Sequence, residues 1–255
     1  MTALPSLPWA DAPWWQAIID RTARTSVAAS STTQPEAVSP LTLQLLIVAG
    51  VVALAVVSIP PFWRAVRILV TLVHELGHAA VGILVGRRFT GFVVRGDMSG
   101  HAVTVGKPRG PGLAFTTWAG YPAPAVVGAA LVAAAVTGWA PAVFGGIALI
   151  FVLTLPFVRS WATFASTLAV AGATAALWWW RSDPRSATVL LTVAVVLILG
   201  AWRHLGAVAP SPRGSDPDAL AKQTGLRGWF WVGTFGLVIA AASAGAGYLL
   251  WTVSS

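Results

Sequence analysis

The sequence predicts an all-α polytopic membrane protein with about seven transmembrane helices and a short β-hairpin after the second of them. Three observations lead there. Charged residues make up 9% of the 255-residue chain and hydrophobic ones 56%, where a soluble domain carries about 25% charge. Seven apolar stretches approach the roughly 20 residues that a bilayer crossing requires. Fourteen tryptophans lie largely at the edges of those stretches (Trp63, Trp139, Trp178 to Trp180, Trp202, Trp229, Trp231 and Trp251), as an interfacial aromatic belt would place them.

Residues 1–40 read as a cytoplasmic, partly disordered N-terminal segment. Asp11, Asp20 and Glu36 interrupt it, and it lacks the basic start and apolar core of a cleavable signal peptide. Trp9, Trp14 and Trp15 near Ile18 and Ile19 suggest a helix lying on the membrane surface, followed by a Ser/Thr-rich linker. Residues 41–255 form the membrane-embedded domain, with spans expected at 41–59, 64–86, 112–136, 141–157, 162–180, 187–203 and 228–252. The fourth and sixth are short, which suits tilted, embedded or re-entrant segments.

Two polar stretches separate these runs. Between the second and third spans, Phe89 to Val94 and His101 to Val105 are β-branched or aromatic runs around Gly96-Asp97-Met98-Ser99-Gly100, a hairpin pattern. Such a hairpin has an unpaired edge that an extended peptide can join through main-chain hydrogen bonds. In 210–227, Asp216 before Pro217 suits an N-cap and first helical position, and Gly225 suits the C-terminal end. A short cytoplasmic helix over 217–224 follows, with Asp216 and Asp218 read as cap and first-turn charges rather than ligands.

The net charge of +8 invites a nucleic-acid partner, but the basic residues are scattered between apolar runs, not gathered on one face. They read as topology and attraction to a lipid surface. With the N-terminus in the cytoplasm, twelve basic residues fall inside and only Arg64, Arg67, Arg181 and Arg185 outside, the bias expected of a cell-membrane protein.

The chemistry concentrates in His74-Glu75-Leu76-Gly77-His78. On a helix this H-E-x-x-H pattern puts two imidazoles one turn apart on one face, within reach of one metal ion. Glu75 is placed to hold or deprotonate a water beside it. Leu69 to Val73 and Ala79 to Val85 continue the helix on both sides, and Gly77, Gly82 and Gly86 let neighbouring helices approach. Ionisable groups inside a span are costly, so a purely structural His–Glu cluster explains them poorly.

With no cysteine in the chain, any metal must be held by His and carboxylate, and zinc is the expected ion. A catalytic zinc takes three protein ligands, and the third is open. Beyond Glu75 the acids are Asp97, Asp183, Asp216 and Asp218, all in loop or polar segments, and the other histidines are His101 and His204. Asp97 or His101 would serve if the hairpin folded back; His204 reads as a residue snorkelling to an interface.

Together these residues resemble the site-2 protease type of zinc intramembrane metalloprotease, most nearly its small bacterial B-like branch. The resemblance runs over roughly 45–250. It includes Gly120-Tyr121-Pro122, the Arg159 turn, Ser215-Asp216-Pro217-Asp218-Ala219-Leu220 and Thr224-Gly225-Leu226. It implies His74 and His78 as zinc ligands and Glu75 as the water-activating base. In the wider family a later intramembrane Asp completes the site, and no acid stands around Pro156-Phe157-Val158-Arg159-Ser160.

The implied function is zinc-dependent hydrolysis of peptide bonds in membrane-anchored proteins, with water entering along small residues such as Gly120, Gly128 and Ala129. The alternatives are a catalytically impaired scaffold that keeps the fold, and a transporter, which would show internal repeats and paired broken helices.

Overall fold

A computed structural model describes residues 14–25, 43–94 and 100–254. Its helices are α1 (Trp14–Thr22), α2 (Leu43–Ser58), α3 (Pro60–Leu84), α4 (Pro111–Trp118), α5 (Ala123–Val136), α6 (Ala140–Thr154), α7 (Trp161–Trp179), α8 (Asp183–Val208), α9 (Asp216–Thr224) and α10 (Gly228–Ser254). Strands β1 (Arg88–Val94) and β2 (Gly100–Val105) form the antiparallel hairpin expected after the motif helix. The linker beyond Thr25 and the hairpin tip with Asp97 lie outside the described residues.

All seven apolar segments are helical. Among the described residues, α3, α6 with its 3-10 extension to Phe157, α8 and α10 are long and apolar enough to cross a membrane. The segment expected as one span over 112–136 is made of α4 and α5, bent by 63° at the break between them. Pro122 and Pro124 follow Gly120 in that bend, and each proline removes a backbone donor and clashes with the preceding turn. By length and composition, four spans, or five with the bent pair, are found among the described residues, and α2 is a shorter apolar helix.

The core is built on α8. Helix α5 packs along it so closely that a Cβ on Gly128 would stand 2.7 Å from the Ala194 carbonyl oxygen and from Ile198. Ala129 packs, partly buried, on the same core. Leu190, Leu191, Ala194 and Leu197 of α8 are buried with Ala49 and Ala53 of α2 and Val132 and Ala135 of α5.

Polar ties mark the two ends of this bundle. At one end, Arg21 donates to the Trp179 carbonyl at 3.2 Å, Arg24 to that of Thr137 at 2.7 Å, and Arg181 to that of Ala23 at 2.9 Å. Helix α1 thus clamps the α5–α6 and α7–α8 turns. At the other end, Arg159 donates to the Thr90 carbonyl from Nε at 3.1 Å, where the register of the hairpin shifts between Phe89 and Gly91. A Cβ on Gly91 would lie 2.5 Å from Arg159 Nε, and its φ of +144° also favours glycine. Arg203 donates to the Val57 carbonyl and stacks 4.6 Å over Trp63.

These contacts overturn the expected division of charges. Arg21 and Arg24 share an end with Arg181 and Arg185, although the sequence reading put them on opposite sides. Trp63, next to Arg64, sits beside Arg203 and His204. The 26 residues of α8, about 39 Å of helix, separate the α1 end from the end that carries α9.

Candidate metal centre

The motif residues lie in the middle of α3, where Gly77 makes room for the α4–α5 bend. A Cβ there would stand 2.5 Å from that of Ala123 and 3.0 Å from the Ala119 carbonyl oxygen. One turn on, a Cβ on Gly82 would press on Thr104 of β2 and Thr116 of α4 at 3.1 and 3.4 Å. Gly86, at φ +77°, follows the end of the helix in the left-handed conformation common there.

On this face the two imidazoles converge, His74 Nε2 and His78 Nε2 being 3.1 Å apart. A third donor enters from far along the chain: Asp216 Oδ2 is 3.2 Å from each of them. His74, His78 and Asp216 are the one such His/Asp/Glu group among the described residues. Two ligands about 2.0–2.1 Å from a tetrahedral zinc stand roughly 3.3 Å apart, so the triangle has the dimensions of one face of that coordination sphere.

Three further features fit a metal. Asp216 Oδ2 is buried without a hydrogen-bond partner, a cost that a coordinated cation removes. His78 Nδ1 lies 2.7 Å from the Thr116 carbonyl oxygen; the proton therefore sits on Nδ1 and the Nε2 lone pair is free, the arrangement usual for a ligating histidine. Gly120 keeps the face of the triangle open, since a Cβ there would lie 2.4 Å from His78 Nε2 and 2.7 Å from His74 Nε2.

The His74 ring meets Tyr121 edge-on at 4.9 Å, and Tyr121 in turn stacks on Phe235 of α10 at 5.1 Å. Glu75 is 4% exposed. Burial works against ionisation of Asp216, but the two imidazoles that it faces outweigh it and hold the carboxyl well below its ordinary range. The group stays a carboxylate, the form that binds a cation.

Asp216 corrects the sequence reading. The N-cap residue of α9 is Ser215, and Asp216 follows it with its side chain turned onto the imidazoles. Asp218 fulfils the local role: it accepts from Gly214 N–H at 3.1 Å and from Lys222 Nζ at 2.7 Å, and these bonds lower its pKa. Asp183 pairs with Arg181 at 2.7 Å at the far end. His204 meets Trp63 edge-on at 5.8 Å, and His101 lies on β2 opposite Val93. Ser215-Asp216-Pro217-Asp218-Ala219-Leu220, a segment that carries the family resemblance, was the available sign of a ligand.

Neither a comparison with curated proteins nor one with solved structures finds a match. A protein-family model does: the one described as Peptidase M50B-like matches residues 47–246, which include the whole donor triangle. With its apolar helices and this match over most of its length, the chain belongs to the Peptidase M50B-like family of membrane metallopeptidases of the site-2 protease type.

Proposed function

We propose that the protein is a zinc-dependent intramembrane endopeptidase that hydrolyses peptide bonds of membrane-anchored proteins, with His74, His78 and Asp216 as metal ligands and Glu75 as general base. The observation that carries this reading is the triangle of 3.1, 3.2 and 3.2 Å between two imidazole nitrogens and a buried carboxylate oxygen. When bound, zinc supplies Lewis acidity that acidifies water and polarises a carbonyl.

The chain's own residues do the rest. His78, with its Nδ1 proton directed to Thr116 O, and Asp216, as a carboxylate, present lone pairs to the cation. Glu75, next to His74 and buried, accepts a proton from the attacking water and returns it to the departing amine. The substrate helix must unwind locally, because a helical carbonyl is already hydrogen-bonded and shielded.

The scaffold alternative rested on a missing acidic partner for the two histidines, and Asp216 removes that ground. Metal analysis of purified protein together with cleavage of a single-pass substrate reconstituted in liposomes tests the reading. One zinc per chain and hydrolysis that chelation stops are expected. Absence of stoichiometric metal, or equal cleavage by Glu75→Gln, sinks it.

For orientation, the positive-inside rule applied to the observed ends places the metal end in the cytoplasm. Arg87, Arg88, Lys107, Arg109, Arg159, Arg203, Arg213, Lys222 and Arg227 flank the hairpin, α4 and α9 at that end, against Arg21, Arg24, Arg181 and Arg185 at the other. Helix α1 then lies on the extracytoplasmic face of the cell membrane, the reverse of the sequence expectation.

A further inference from the structure

Asp216 is not carried by a membrane-crossing helix. It opens α9, a nine-residue helix in which only Pro217 and Leu220 are buried. Gly214 and Gly225 flank that helix at φ +73° and +78°, with open space where their Cβ atoms would be. Two groups seat it. Leu220, 0% exposed, enters the cluster of Ala125, Leu205 and Phe235, and Gln223 Nε2 donates to Thr117 Oγ1 of α4 at 3.2 Å.

Helix α4 is a common mount for the site. Three consecutive residues reach three different elements: the Thr116 carbonyl holds His78 of α3, Thr117 holds Gln223 of α9, and Trp118 Nε1 donates to Thr234 Oγ1 of α10 at 3.0 Å. The same short helix therefore sets the tautomer of one ligand and the seat of the arm that bears another.

We propose that Leu220 and Gln223 are positioning residues of the metal centre, which deliver Asp216 by seating α9 on α4, and that the bound metal in turn locks α9 in place. This inference rests on the zinc reading above. Outer partners of metal ligands commonly govern affinity by 10–100-fold when removed, and binding and seating are linked, so each must favour the other.

The absence of cysteine gives a direct test. In the full chain, Leu220→Cys places a single thiol at a buried position of α9, and maleimide labelling is followed with zinc bound and after chelation. Labelling at least tenfold slower in the zinc form is expected. In parallel, zinc affinity is measured for Gln223→Ala, Thr117→Val and Thr117→Ser. Gln223→Ala and Thr117→Val should weaken it about tenfold, and Thr117→Ser, which keeps the hydroxyl, should restore it. Equal labelling with one zinc bound per chain, or unchanged affinity in Thr117→Val and Gln223→Ala, overturns the proposal alone. No zinc on the wild-type chain overturns it together with the metal reading.

Discussion

The imidazole of His78 gives its Nδ1 proton to the carbonyl oxygen of Thr116 at 2.7 Å, so a backbone group on α4 fixes which nitrogen of an α3 residue faces the metal position. That carbonyl is not a variable of the side-chain sequence. It is set by how α4 lies against α3, which Gly77 and Gly82 permit.

Replacing Glu75 with Gln removes the base while keeping the shape of the side chain. Zinc content should stay at the wild-type level and the cleavage rate should fall about 10²–10⁴-fold. Metal analysis and a turnover assay on the same preparation check both halves.

Asp216 and Asp218 should separate cleanly. Asp216→Asn should lower zinc affinity more than about 100-fold, beyond the loss typical of an outer partner. Asp218→Asn, which alters only a surface contact with Lys222 and Gly214, should bind zinc as the wild type does. Competition with a chromophoric chelator measures both; similar affinities for the two variants would remove Asp216 from the ligand set.

A methyl group at position 120 should be intolerable to the site and harmless to the fold. In Gly120→Ala the new Cβ meets His78 Nε2 at 2.4 Å, and the ring cannot retreat without leaving Thr116. Zinc should be lost while the helical circular dichroism is retained. A full complement of zinc in this variant would contradict the geometry.

Single cysteines read the orientation. Asp20→Cys on α1 and Lys222→Cys on α9 should react with a membrane-impermeant maleimide from opposite faces of intact cells or sealed vesicles, Asp20→Cys from outside. Labelling of both from the same face would reject the arrangement of ends drawn from α8.

The hairpin should depend on Arg159. Removing the guanidinium in Arg159→Gln deletes the bonds to the Thr90 carbonyl, charge-assisted contacts of the stronger kind. Amide exchange in β1 and β2 should rise roughly tenfold, as for an element whose local opening has become easier. Unchanged protection would show that strand pairing alone holds the hairpin.

The parts of this molecule that were legible in the sequence are those with local causes. The motif helix announced itself through His74 and His78 at helical spacing, and the hairpin through β-branched runs about a glycine-rich centre. The third ligand has no such cause. Asp216 next to Pro217 satisfies every local rule for a helix start, and only the seating of Leu220 and Gln223 turns its carboxylate inward. The grouping of charges was hidden for a similar reason: charge counting set Arg21 and Arg24 apart from Arg181, whereas Arg21 and Arg24 bind the turns beside it. The bend at Ala119 to Pro122 was readable from Gly120, Pro122 and Pro124, yet an apolar run over 112–136 outweighed them.

The two prolines of that bend carry a consequence for hydration. In an unbroken helix the carbonyls of Trp118 and Gly120 would accept from residues 122 and 124, and proline has no proton to give. Oxygen atoms left without such donors at bilayer depth are stable only against solvent or other polar groups. The kink that brings Gly120 against His74 and His78 therefore leaves the Trp118 and Gly120 carbonyls without their helical donors.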